Sequence, residues 1–173
     1  MNTMTDTPRI YVACLAAYNA GILHGEWIDL DQDIDDIWSE IRNMLSSSPE
    51  PDAEEWAIHD YDGFGGLYLS EYEGIERVHA LAEFIIENGE IGTLLLSEYC
   101  GDLEHSKSIL ENYIGCYSSL SDYAQELTEE TTQIPENLSF YIDYEAMARD
   151  MKLNGEVISI DSNSGEVMLF WNY

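Results

Sequence analysis

The stretch DLDQDIDDIWSE, Asp29 to Glu40, places six carboxylates in twelve residues with no Lys or Arg among them. Two readings compete for it. As a calcium loop, Asp29, Asp31 and Asp33 take positions one, three and five, and Glu40 takes position twelve. Position six, where such a loop needs glycine for its sharp turn, holds Ile34, and a β-branched residue is strongly disfavoured at φ > 0. As a helix from about Asp33 to Leu45, Ile34, Ile37, Trp38, Ile41 and Leu45 recur at i, i+3, i+4, i+7 and i+11 and so share one apolar face. Asp33, Asp36 and Glu40 then turn outward. The helix accounts for more residues than the loop does, and an acidic calcium-binding protein is kept as the alternative binding class.

Around that helix the chain reads as α+β. RIYVACLAAY and ILHGEWIDL are expected strands separated by the turn residues Asn19 to Gly21, a hairpin. Beyond the break SSSPEPD, EWAIHDY reads as a third strand, which gives an N-terminal domain over residues 1–70 with a short sheet. Next, GIERVHALAEFIIEN sets Ile75, Val78, Leu81, Ala82, Ile85 and Ile86 on one helical face. Shorter helices around IGTLLLSEYC and DLEHSKSILEN, with breaks at Gly89 to Glu90 and at Gly101, complete a central helical domain over 71–112. The C-terminal domain, 113–173, is expected to hold a sheet plus helices. YIGCYS is a strand, and a helix from about Leu120 to Thr131 faces Leu120, Tyr123, Ala124 and Leu127 inward. Pro135 suits the first turn of a further helix reaching about Met151. GEVISI and EVMLFWNY close the chain as a hairpin around Asp161 to Gly165. DSNSGE has loose calcium-loop spacing, but between two strands it is first a turn. Each segment alone has a marginal core. The expected architecture is therefore an elongated chain of small packed subdomains.

Thirty-five Asp and Glu face six Lys and Arg, a formal charge of −29. By segment the net is −12 over residues 1–70, −8 over 71–112 and −9 over 113–173, so the charge belongs to the whole chain and not to a tail. High net charge signals disorder only when aromatic and branched residues are few, and this chain has 12 Tyr and 4 Trp. Folding such a chain carries an electrostatic cost that salt relieves. Direct binding to nucleic acid or to an anionic membrane is excluded, because each requires a basic face. Cys14, Cys100 and Cys116 are odd in number and lack CxxC spacing, as expected of free thiols in a reducing cytosol. No apolar run approaches a membrane span and no signal-peptide pattern opens the chain. The expected location is cytoplasmic.

Catalytic and cofactor signals are weak. His24, His59, His79 and His105 show neither HxH nor HExxH spacing. HDYDGFGG, His59 to Gly66, is glycine-rich but has no following Lys and reads as a turn, not a phosphate cradle. Paired carboxylates for a hydrolase are uninformative where every region is acidic; that class stays as a further alternative. No metal site and no cofactor is expected. The outward stripes are more telling. Opposite charges at i, i+4 add ~0.2–0.5 kcal/mol and like charges subtract as much, yet Asp122, Glu126 and Glu129 have no cation among them. From Ser108 to Ala148 there is none at all. Duplex DNA carries one charge per ~1.7 Å of axis, so 29 net charges correspond to roughly 50 Å of duplex, about 15 base pairs. Carboxylates one helical turn apart lie ~5–6 Å from each other, close to the spacing of neighbouring phosphates. A halophilic protein would keep such a pattern for solubility; the other reason is a partner that expects a polyanion, and the match of scale supports the second.

Over nearly its whole length the chain resembles the ArdA antirestriction proteins of bacterial mobile genetic elements. The likeness runs through YVACLAAYNAGILHGEWIDL and AIHDYDGF and is strongest at IPENLSFYIDYEAMARDM, with YIDYEAMARD, Tyr141 to Asp150, its most specific piece. The resemblance implies a non-enzymatic, elongated homodimer. Its acidic surface mimics B-form DNA and occupies the DNA-binding groove of type I restriction-modification enzymes, blocking cleavage and often methylation. Here that surface would comprise Asp29, Asp31, Asp33, Asp36, Glu40, Glu83, Glu87, Glu90, Asp122, Glu126, Glu129, Glu130 and Glu136. The segment YAQELTEETTQIP stands where the family carries its antirestriction motif, represented here by Tyr123, Glu126, Glu129, Glu130 and Thr131. It lacks the Gly-containing turn that usually precedes the proline, which leaves dimerisation or domain packing open as its role beside enzyme contact. Arg149 reads either as a buried ion-pair partner or as a dimer contact, and Tyr141 and Tyr144 as core residues.

Overall fold

A computed structural model describes residues 7–173. The chain forms two compact units, one ending at Leu103 and one running from Glu104 to Tyr173. Both combine helices with a small antiparallel sheet, so the fold class is α+β.

In the first unit, β1 (Arg9–Cys14) lies between β2 (Gly25–Asp29) and β3 (Trp56–Asp62). The alternation of the sequence sets Ile10, Val12 and Ile28 on the buried side. On the other side Arg9 pairs with Asp29 and Asp62, and Tyr11 with Trp27. α2 (Ile34–Ser46) covers the core with Ile37, Ile41 and Met44, and Leu45 is half-buried. α3 (Ile75–Glu98) adds Ile75, Val78, Leu81 and Ile85. Its helical path breaks at Gly89, whose φ of 59° and ψ of −135° suit only a residue without a Cβ. Nothing lies within 4 Å of a Cβ built there, so the requirement is conformational and not steric. Gly65 and Gly66 are the opposite case. A Cβ on them would stand 2.4 Å from Thr93 Cγ2 and 2.8 Å from Ser97 Oγ, so their smallness lets the loop after β3 lie directly on α3.

One strand expectation is corrected here. RIYVACLAAY does not stay extended: β1 stops at Cys14 and Leu15–Asn19 form a short helix, α1. Past Val12 the β-branched residues run out, while Ala16 and Ala17 favour helix. The Ala20 N–H closes the turn on the carbonyls of Ala16 and Ala17. β1 and β2 still pair antiparallel, but through this helical turn and not a tight hairpin.

α4 (Leu103–Leu110) leads into the second unit. There β6 (Val167–Trp171) lies between β4 (Tyr113–Tyr117) and β5 (Val157–Asp161), and the β5–β6 hairpin turns at Asp161 to Gly165 as expected. Tyr123, Val157 and Leu169 form the core, with Leu120, Leu127, Met151 and Trp171 packed around them. α5 (Leu120–Thr131) starts where Ser119 Oγ accepts the Asp122 N–H. The helix expected from Pro135 to Met151 is a second correction. Pro135 opens only a turn, Ser139–Tyr141 form a single 3₁₀ turn, and α6 runs from Tyr144 to Leu153. Ile142 is extended, and Asp143 caps the helix by accepting the Ala146 N–H at 3.0 Å. An aspartate that captures a backbone N–H ahead of it starts a helix; it does not continue one.

Candidate functional site: carboxylate surfaces of the two units

Asp29 to Glu40 is not an EF-hand loop, because Ile34 is the first residue of α2. The stretch instead forms one wall of an open groove of about 520 Å³ in the first unit, with α3 as the other wall. Five of the residues singled out from sequence meet there: Asp31, Asp33, Asp36, Glu83 and Glu87. All five are exposed. Asp36 sits in the first turn of α2, where the positive end of the helix dipole favours an anion. Two side chains hold the wall in place. The His79 ring reaches the Gln32 carbonyl through Nε2 at 2.9 Å, and Gln32 Nε2 donates to the Asp29 carbonyl at 2.7 Å and to Glu40 Oε1 at 3.0 Å.

Asp29 stands apart from that groove. Its neighbours in a smaller hollow are Thr7, Arg9 and Asp62. Arg9 donates to Asp62 Oδ2 at 3.1 Å and lies 4.7 Å above the Trp27 ring, so this part of the surface contains a cation. Glu90 is half-buried next to the break in α3, away from the groove's lining.

In the second unit, Asp122, Glu126, Glu129 and Glu130 are exposed on α5, and Glu136 is exposed beyond it. The side-chain partners of Asp122, Glu126 and Glu129 are neutral. Ser119 Oγ donates to Asp122 at 2.8 Å, Tyr117 Oη to Glu126 at 3.1 Å and Gln125 Nε2 to Glu129 at 2.9 Å. Among the described residues, the Lys and Arg ion pairs join Arg9 to Asp62, Arg77 to Glu73, Lys107 to Glu104 and Arg149 to Asp150, and none involves α5. The Tyr117 phenol is raised above its ordinary value of 10.0, first by desolvation, then by its bond to Glu126 and the charges of Glu126 and Glu130. Tyr123 is raised in the same direction, again chiefly by burial.

The motif segment divides between interior and surface. Tyr123 is a core residue, edge-on to Tyr117 at 5.0 Å and to Trp171 at 6.1 Å. Glu126, Glu129, Glu130 and Thr131 face solvent, and Thr131 Oγ1 donates back to the Leu127 carbonyl at 2.6 Å. Two further readings are corrected. Tyr141 is 85% exposed and Tyr144 is only half-buried, because the segment after Pro135 never joins a helix that could carry both inward. Arg149 is not a buried ion-pair partner: its side chain is 67% exposed and its nearest carboxylate is the adjacent Asp150, at 3.9 Å.

A second groove holds residues that no sequence motif marks. Tyr18, His59, Tyr61, Tyr68, Glu71 and Tyr72 line an opening of about 540 Å³ beside β3. Its residues are scattered over 55 positions, from 18 to 72, and no spacing rule links them; the abundance of tyrosine was the only clue. Among the described residues no group of three or more His, Cys, Asp or Glu could hold a metal ion, and no helix is long and apolar enough to cross a membrane.

No match to a curated protein was found. The antirestriction protein (ArdA) family matches residues 10–164, from inside β1 to the β5–β6 turn. A match spanning both units makes the chain a member of the ArdA antirestriction protein family.

Proposed function

We propose that this antirestriction protein works as an acidic imitation of B-form DNA. It occupies the DNA-binding groove of type I restriction-modification enzymes and so inhibits cleavage and, with it, methylation. The observation that carries this reading is the state of the carboxylates. In the second unit Asp122, Glu126 and Glu129 stand exposed on one helix and are held by serine, tyrosine and glutamine instead of by cations, and in the first unit five exposed carboxylates line one groove. Held in this way they keep their charge and gain fixed positions, as phosphates do on a duplex. A basic groove that closes on them releases counterions just as it does on DNA.

A second copy extends the imitation. Phe140 and Tyr141 are 94% and 85% exposed, and Leu138 and Leu153 in the same unit are exposed too. Large apolar side chains in the open support a homodimer contact on this unit, with Arg149 as a cation near it in sequence.

The test is a cleavage assay with a purified type I enzyme, titrating this protein at two salt concentrations. Inhibition at low salt that fades as salt rises is expected. Undiminished cleavage at protein excess and low salt defeats the reading for that enzyme. Because contact is distributed, Asp36→Asn or Glu129→Gln alone should weaken inhibition only a few-fold. Complete loss from either change points to a localised site.

A further inference from the structure

We infer that the tyrosine groove beside β3 receives an arginine side chain of a basic protein partner. The groove is built by three pieces of the first unit: β3, the strap that follows it, and Tyr18 of α1. The Ile58 N–H donates to the Glu71 carbonyl at 2.8 Å and the Leu69 N–H to Tyr61 Oη at 3.2 Å, which fixes the strap along the strand's open edge. Gly65 and Gly66 hold the near end of that strap against α3. The result is a fixed aromatic hollow. Tyr68 and Tyr72 are 79% and 69% exposed, and Tyr18, 53% exposed, stands edge-on to His59 at 4.7 Å.

Exposed tyrosines at this density need an occupant with a flat, polarizable face. A nucleobase would stack on them, but base-stacking grooves carry a basic rim for the backbone. This one is lined by no Lys or Arg and has Glu71 as its carboxylate, on a chain of net charge −29. Charge and shape together select a cation. Of the two cationic side chains, guanidinium is planar, weakly hydrated and stacks on aromatic faces while donating two bonds to one carboxylate; ammonium is a compact, strongly hydrated point charge. Arginines that grip phosphate in a DNA-binding groove are the natural source. For the identity of the partner, the inference rests on the function proposed above.

The test has two arms, so that the two ideas can fail separately. In the first, N-acetyl-arginine methylamide and its lysine counterpart are titrated into the whole protein at high salt, with aromatic NMR shifts as readout. Shifts concentrated on Tyr18, His59, Tyr68 and Tyr72 are expected with the arginine probe, and weaker ones with the lysine probe. Removing a tyrosine ring should weaken binding about two- to fivefold each. Tyr68→Ala with Tyr72→Ala therefore abolishes most of the response, while the Phe replacements keep it. Both side chains are exposed, so folding should be spared. Shifts spread evenly over the acidic faces, or a response unchanged in the double Ala variant, overturn the inference. In the second arm the double Ala variant is compared with wild type as an inhibitor of restriction. Weaker inhibition supports the inference, and equal inhibition overturns it for the enzyme contact. A wild-type protein that binds the probe in the groove but inhibits nothing refutes the imitation of DNA and leaves the groove's arginine preference standing.

Discussion

Single residues show how an acidic surface is kept in order without cations. Glu126 is held by the Tyr117 hydroxyl and acts on that hydroxyl in turn. Desolvation, then the bond to Glu126 and its charge, make the neutral phenol the favoured form in the folded protein. A phenol raised above its unfolded value of 10.0 stabilises the fold fully below pH 10, and that contribution disappears as pH climbs through the higher native value. Glu126→Gln should therefore move the Tyr117 titration down, though not back to the free value, because burial remains. Tyrosine ring-carbon shifts followed against pH report this directly. An unchanged titration in the variant would show that Glu126 plays no part in it. Of the individual side chains, the inward placing of Tyr123 was legible from helical spacing. The exposure of Tyr141 was not, because it depends on where α6 starts, and that of Arg149 was not, because it depends on what packs against α6.

At the level of elements, local signals fix an element where one force dominates. α5 falls at Leu120–Thr131 because its apolar face and its Ser119 cap agree. α2 falls within a residue of its expected ends because Ile37, Ile41 and Met44 need a core. Local signals failed where two forces compete. Leu15 to Asn19 could extend or coil, and two alanines with a backbone closure at Ala20 decide for helix. After Pro135, a proline that suits a helix start is overridden by Asp143, which starts its own. The break in α3 gives a test at this scale. Gly89→Ala places a Cβ where φ is positive and should cost roughly 1–3 kcal/mol of stability, measured by urea unfolding. A variant as stable as wild type would mean that α3 can straighten through position 89.

The whole molecule is governed by its charge. Lowering ionic strength from 0.1 M to 0.01 M lengthens screening from about 10 Å to about 30 Å, which lets more of the carboxylates repel one another. The melting temperature should rise with added sodium chloride over this range and beyond. A flat response would mean that bound cations or the local packing already absorb the repulsion. Self-association is testable at the same scale. Phe140→Asp should shift a dimer towards monomer in sedimentation velocity without unfolding the second unit, since Phe140 is 94% exposed. Unaltered association would place the dimer contact elsewhere.

Composition and periodicity alone determined that the chain folds, that it mixes helix with strand and that the acids of α5 lie outward. These are properties of counts and of local repeats, and they survive any arrangement of the elements. Only the tertiary structure decided which carboxylates share a groove. Asp31, Asp33 and Asp36 meet Glu83 and Glu87 because α2 and α3 pack on one core, about fifty residues apart in sequence. It alone gathered Tyr18, His59 and Tyr68 into one hollow, because strand pairing and a strap closed by two glycines are long-range events that no window of sequence contains.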